Sequence, residues 1–188
     1  LGSAPFLERV AVPLMTEVGE RWHRGQLGVA AEHMATSVVE RVVGWLMRPW
    51  SAEDAGPVVV VATPAGQRHQ LGALLVAALA VEQGWRVVYL GADVPASEIA
   101  AAAELRKARL VALSTVYPSG DAAVTKELRE LGGLLGDGIG LVVGGSAAAS
   151  YADVIREGGG VVLGDLRSLR PVLEGYQRTP AVLSGVGL

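Results

Sequence analysis

Apolar positions change their spacing near residue 57, and that change organises the chain. Before it they recur every three or four residues. Leu7, Val10, Leu14, Val18 and Trp22 form one stripe, the mark of a helix with a single buried face. Ser3 ahead of Pro5 predicts where this helix starts and Gly25 where it stops. Pro13 predicts a kink, because proline brings no N–H to the turn before it. A second helix follows, with Val29, His33, Thr36, Ser37, Glu40 and Gly44 on one side and Met34, Val38, Val42 and Trp45 near another. Two helices cannot bury both faces alone. Residues 1–50 therefore read as part of a helical bundle whose remaining helices lie outside this chain or come from a partner.

Residues 51–57 are rich in turn formers and read as a linker. Five short, β-branched apolar runs come next, at 58–62, 86–90, 110–114, 140–143 and 161–163, as buried parallel strands require. Between and after them lie helical stretches at 69–83, 97–107, 121–135, 147–157 and 166–176. This alternation predicts an α/β fold over 58–176, a doubly wound five-stranded parallel sheet, with 177–188 as a loose tail.

Composition narrows the chemistry. Hydrophobic residues make up 51% of the chain but only one is Phe, so helices and strands should pack closely on small side chains. A net charge of −3 argues against a chain that grips nucleic acid by itself. The absence of cysteine excludes disulfides, thiolate metal sites and Cys nucleophiles, and fits a reducing cytoplasm. The apolar run at 73–81 is too short to span a bilayer and no signal peptide opens the chain, so a soluble, cytoplasmic protein is expected.

In an open α/β sheet, ligands bind beyond the carboxyl ends of the strands. Strand 58–62 runs into Thr63-Pro64-Ala65-Gly66-Gln67-Arg68-His69-Gln70-Leu71-Gly72, placing an imidazole at that edge. Strand 110–114 ends in Ser114-Thr115-Val116, and strand 140–143 in Gly144-Gly145. Each piece alone is ordinary: a histidine at a helix start usually caps or faces water, and a Gly-Gly usually makes a turn. Together, with 41 residues between Gly72 and Ser114 and 27 between Val116 and Gly144, they resemble the fingerprint of B12-binding domains of methionine synthase, mutases and their relatives. That fingerprint is Asp-x-His-x-x-Gly, then Ser-x-Leu, then Gly-Gly.

The resemblance implies a Rossmann- or flavodoxin-like domain holding cobalamin with its nucleotide base displaced. His69 would be the lower cobalt ligand, with Gln67, Arg68, Gly72, Ser114, Thr115, Gly144 and Gly145 around the cofactor. Imidazole suits cobalt, the glycines leave room for the nucleotide tail, and Ser114 offers a hydroxyl. The chain departs from the family at Gln67, where an acid usually stands two residues before the histidine. An amide carbonyl there is expected to orient the His69 ring with less electron donation.

Trp22, nine intervening residues, then Glu32-His33 make a second resemblance, to the light-sensing portion of the CarH/LitR group of transcriptional regulators. It implies adenosylcobalamin as chromophore, with methylcobalamin or hydroxocobalamin also open. Trp22, Glu32 and His33 would line the upper pocket, and His23 would be the candidate upper cobalt ligand after photolysis. It further implies a non-enzymatic, homo-oligomeric sensor that reaches DNA only through a domain or partner absent from this chain. Two other functions stay open. One is a corrinoid carrier of a methyltransferase system; the other is a mutase cobalamin subunit, against which the helical segment counts.

Overall fold

Helix begins at Ser3 and reaches His23 with one irregularity: α1 (Ser3–Phe6), a π-helical turn (Leu7–Ala11) and α2 (Val12–His23). The computed structural model describes residues 3–47 and 56–178. The disturbance predicted at Pro13 takes the form of this wider turn just before it. The Val12 N–H donates to the Leu7 carbonyl, one residue further back than an α-helix allows. The extra residue changes which positions face inward. Leu7 and Ala11 are buried, with Val12 and Met15 packed partly against them, whereas Val10, Leu14 and Trp22 are exposed. The predicted stripe is therefore corrected: a period of 3.6 carried through a π turn points about 100° away from the face actually used.

Gly25 ends α2 as predicted. It adopts a φ of 68°, its N–H donates to the Trp22 carbonyl at 2.9 Å, and the Gln26 N–H reaches back to Arg21 at 2.8 Å. This closure needs a left-handed residue, which glycine supplies without a Cβ clash. After the turn, α3 (Val29–Met47) packs on α2 and buries Val39 and Val43, leaving Val29, Met34, Val38 and Trp45 exposed.

The sheet is all parallel, in the order β2-β1-β3-β4-β5. Its strands are β1 (Val58–Pro64), β2 (Arg86–Val94), β3 (Leu110–Ser114), β4 (Gly140–Gly144) and β5 (Val161–Val162). The helices are α4 (Leu71–Glu82), α5 (Ala96–Leu105), α6 (Ala122–Leu134), α7 (Ala152–Glu157) and α8 (Leu169–Arg178). Alternate residues of β1 serve opposite faces. Val58, Val60 and Ala62 join the core under α5, α6 and α7, while Val59 and Val61 join the core under α4 and α8.

Helix α4 is covered twice. Ala73, Ala77, Leu79 and Ala80 pack toward the sheet, and Leu75 and Ala78 meet Leu7, Ala11, Val39 and Val43 of the helical pair. That accounts for a helix apolar nearly all round.

Some boundaries move. Strands β1 and β2 outrun the predicted 58–62 and 86–90, because irregularities after Val61 and Ala62 let pairing continue to Pro64 and Val94. Helix α7 opens with a 3-10 turn, Ala148–Tyr151. Helix α8 starts later than predicted, since the Asp165 carboxylate accepts the Ser168 N–H at 2.8 Å and forms a turn first, and it ends at Arg178, inside the predicted tail. Of the predicted linker only Gly56 and Pro57, and of the predicted tail only Gln177 and Arg178, are among the described residues.

Candidate functional site

The strand order reverses between β1 and β3, so the crevice beyond their carboxyl ends is where a ligand would enter. His69 occupies the segment leaving β1, and the end of β2 braces that segment. The Ala65 N–H donates to the Val94 carbonyl at 2.9 Å and the Gly66 N–H to Asp93 Oδ1 at 2.8 Å. The Asp93 N–H returns to the Gln67 carbonyl at 3.1 Å and to Thr63 Oγ1 at 3.0 Å, while the buried Thr63 hydroxyl donates to the Gln67 carbonyl. Asp93 takes a positive φ of 60° to do this. Arg68 is exposed, its Nε 3.7 Å from Asp93 Oδ2, an ion pair worth only about 0–1 kcal/mol in water.

His69 is exposed, and its ring meets that of Tyr117 edge-on, with centroids 6.4 Å apart and planes at 82°. The Gln67 amide is not hydrogen-bonded to the His69 ring, and the expectation that it orients the ring directly is corrected. The Gln67 side chain is 1% exposed and turned to the segment after β3. Its Oε1 accepts the Val116 and Tyr117 N–H groups at 2.7 and 3.0 Å, and its Nε2 donates to the Pro118 carbonyl at 2.8 Å. Both lone pairs of the amide oxygen are thereby used.

Beyond His69, Gln70 links to the helical pair: its Nε2 donates to Glu40 Oε1 of α3 at 3.1 Å, and the Tyr89 hydroxyl lies 3.5 Å from its Oε1. Burial, and secondarily the Glu40 charge, push the Tyr89 phenol up to about 12.

The other motif residues interlock. A Cβ on Gly72 would overlap the Ser114 hydroxyl, so α4 starts directly against the end of β3. Ser114 is 2% exposed and its Oγ finds no hydrogen-bond partner, a buried polar group of the kind that a ligand commonly satisfies. Thr115 is buried; its N–H donates to the Gly144 carbonyl at 2.8 Å and its carbonyl accepts the Ala147 N–H at 3.0 Å. Gly145 has a φ of 100°, and a Cβ there would strike the Thr115 carbonyl. Only glycine lets β4 turn this closely past β3. A small-residue seam, an unanswered hydroxyl and an exposed imidazole at the switch point fit a group with an elongated tail and a metal that accepts one nitrogen.

The remaining predicted residues lie on the helical pair. Trp22, 36% exposed, stands near the end of α2, and exposed His33 shares a shallow groove with Met34, Ser37, Val38 and Arg41. His23 closes α2 and Glu32 lies in the first turn of α3, but their side chains are outside the described residues. Among the described residues no three His, Cys, Asp or Glu gather about a metal position.

Sequence reasoning missed Asp93, Tyr117, Gln70, Glu40 and Tyr89. A signal existed for Asp93, in Gly91-Ala92-Asp93-Val94-Pro95 at the end of the strand next to β1. Glu40 and Tyr89 carry no local pattern.

The fold and this seam define a doubly wound α/β ligand domain with a helical pair laid on its first helix. Residues 57–173 match the family described as B12 binding domain, and residues 4–47 match a second family of the same description. The chain belongs to the B12-binding domain family and is a cobalamin-binding, CarH-like protein.

It is 36% identical to the HTH-type transcriptional repressor CarH of Myxococcus xanthus over 150 residues, 78% of this chain and 49% of that protein. It is 33% identical to the repressor CarA of the same organism over 111 residues, 59% of this chain and 37% of that one, so it spans half or less of either repressor. The dimethylamine corrinoid protein of Methanosarcina barkeri is 30% identical over 162 residues, 82% of this chain and 75% of that protein. The monomethylamine corrinoid protein of Methanosarcina barkeri, a solved structure 18% identical, shares the fold with a TM-score of 0.64 over 86% of this chain and 78% of its own.

Proposed function

We propose that this chain is the cobalamin-holding sensory part of a transcriptional repressor, non-enzymatic and cytoplasmic, with adenosylcobalamin as its chromophore. The observation that carries the reading is the reach of the similarity to CarH. At 36% identity over 150 residues it is longer than everything from residue 58 onward and so runs into the part that precedes it, and the helical pair there carries Trp22, Glu32 and His33. Bound adenosylcobalamin would supply a cobalt–carbon bond that light breaks.

The chain's own residues divide the work. His69 would hold cobalt through an imidazole nitrogen, and Arg68 stands beside it on the same exposed segment. Ser114 offers its hydroxyl to the nucleotide tail, and Gly72, Thr115, Gly144 and Gly145 shape the seam around it. Trp22, Glu32 and His33 would cover the cofactor from the helical pair, and His23 would be the candidate to hold cobalt after light. The helical pair over 1–50 is a partial bundle, joined by 51–57 to the α/β domain over 58–176. The sensor works as a homo-oligomer and reaches DNA through a domain or partner beyond this chain. Among the described residues no helix is long and apolar enough to cross a membrane.

A corrinoid carrier is the second reading, favoured by the 75% of the Methanosarcina barkeri dimethylamine corrinoid protein that the similarity covers. Absorbance spectra and light scattering of the adenosylcobalamin-loaded chain, in darkness and after illumination, separate the two. A sensor gives a stable light-adapted spectrum and a change of assembly size; His23→Ala leaves dark binding nearly intact and loses cofactor faster after light. His69→Ala abolishes the axial nitrogen splitting in the electron paramagnetic resonance of the cob(II)alamin form. Dark and light spectra that match in every respect would sink the sensor reading.

A further inference from the structure

We infer that Gln67 is a positioning residue for the cobalamin site, acting on the segment after β3 and, through Tyr117, on the ring of His69. The inference rests on the cobalamin reading but starts from contacts that need no ligand. Gln67 is buried beneath the His69 segment, and its amide closes three hydrogen bonds with consecutive backbone units: Val116 N–H at 2.7 Å, Tyr117 N–H at 3.0 Å and Pro118 carbonyl at 2.8 Å. Its own carbonyl is held by Thr63 and by the Asp93 N–H. One residue thus ties the ends of β1, β2 and β3 at the switch point.

The chemistry demanded at position 67 is specific. Two N–H groups point at one oxygen while a carbonyl faces the neighbouring nitrogen, so an amide can accept twice and donate once, and the two accepted bonds are the part the clamp needs. An amide does this; an acid, ionised, cannot donate. The Pro118 carbonyl also takes the Tyr151 hydroxyl at 2.7 Å, which leaves the two accepted N–H groups as the part only residue 67 satisfies. Burying them unpaired is costly, so the segment would shift if the oxygen were lost. Tyr117, the middle residue of that clamp, places its ring edge-on to His69. The imidazole is then steered by an aromatic neighbour fixed in place by Gln67, where the family's usual acid would hold the ring directly.

Two substitutions test this on the full chain. Gln67→Met fills the volume without accepting a bond, and Gln67→Glu keeps both acceptors. Amide hydrogen exchange on the ligand-free protein reads the clamp. Gln67→Met is expected to speed exchange at Val116 and Tyr117 by about tenfold or more while Val60 and Ala112 in the sheet stay protected, and Gln67→Glu is expected to restore protection.

Hydroxocobalamin titration reads the consequence, with about tenfold weaker binding in Gln67→Met. The cob(II)alamin nitrogen splitting should broaden in that variant and be kept in Gln67→Glu. Unchanged protection in Gln67→Met overturns the clamp, and lost protection with unchanged affinity and splitting overturns its role in positioning. If the unsubstituted protein binds no cobalamin while exchange behaves as expected, the cofactor reading falls and the clamp stands.

Discussion

Helix α4 is buried on two sides and α3 on one, and much of the molecule's character follows from that. In the α/β region the central strands β1, β3 and β4 are buried on both faces, so packing, turn glycines and motif residues constrain one another. Gly72 touches Ser114, Ser114 pairs in register with Gly144, and Gly145 turns against Thr115. In the helical pair Leu7, Ala11, Val39 and Val43 are buried against α4, with Phe6, Val12 and Met15 partly packed on them, while Val10, Leu14, Met34, Val38 and Trp45 face outward. The seam at the sheet edge is set by topology. The helical pair rests on α4 through a single layer of side chains.

The sharpest way to break this contrast is to open a hole in each region. Leu128→Ala in the sheet core and Leu7→Ala in the π turn each remove a side chain no more than 1% exposed, and each should cost about 2–5 kcal/mol. The two losses should differ in kind. Urea unfolding followed by hydrogen exchange should show Leu128→Ala lowering protection throughout, and Leu7→Ala lowering it in α1 to α3 while Val60 and Val111 stay protected. Equal loss everywhere would mean that the helical pair and sheet unfold as one unit.

A smaller effect probes the join between the regions. The Tyr89 phenol is held near 12, above its ordinary 10.0, chiefly by burial and then by Glu40. A raised value means that the folded chain keeps a proton the unfolded chain gives up. The stability from neutral Tyr89 is therefore fully present below pH 10 and lost as pH climbs toward 12. Glu40→Gln should shift the tyrosinate absorbance step assigned by Tyr89→Phe to lower pH. An unmoved step would mean that α3 does not bear on Tyr89 of β2 electrostatically.

The smallest effect is expected on the outer face, where Trp45→Ser removes a ring 68% exposed and should change stability by less than about 0.5 kcal/mol in chemical denaturation. A larger loss would show that this face is covered in the folded protein.

The same asymmetry decided what the sequence could reveal. Strands buried on both faces read directly from their β-branched runs, and the order of motifs along them placed His69, Ser114 and Gly144 at one edge. Gln67 was picked out but given the wrong partner, because an alternation of residue types says nothing about which way a side chain near a turn will point. Glu40, Gln70 and Tyr89 meet across three elements far apart in the chain, and no local spacing encodes such a meeting. In the helical pair the apolar period was visible, yet its phase was misread at the one place where the helix departs from 3.6 residues per turn.

That departure makes the helical pair tolerant of a length change at one place and intolerant of it close by. The π turn at Leu7–Ala11 holds one residue more than ordinary winding needs. Losing one codon there would return the helix to ordinary winding while Phe6 and Leu7 kept their phase with Met15. Losing one between Ala11 and Met15 would instead rotate the two sides by about 100°, and groups that now meet α4 side by side would part.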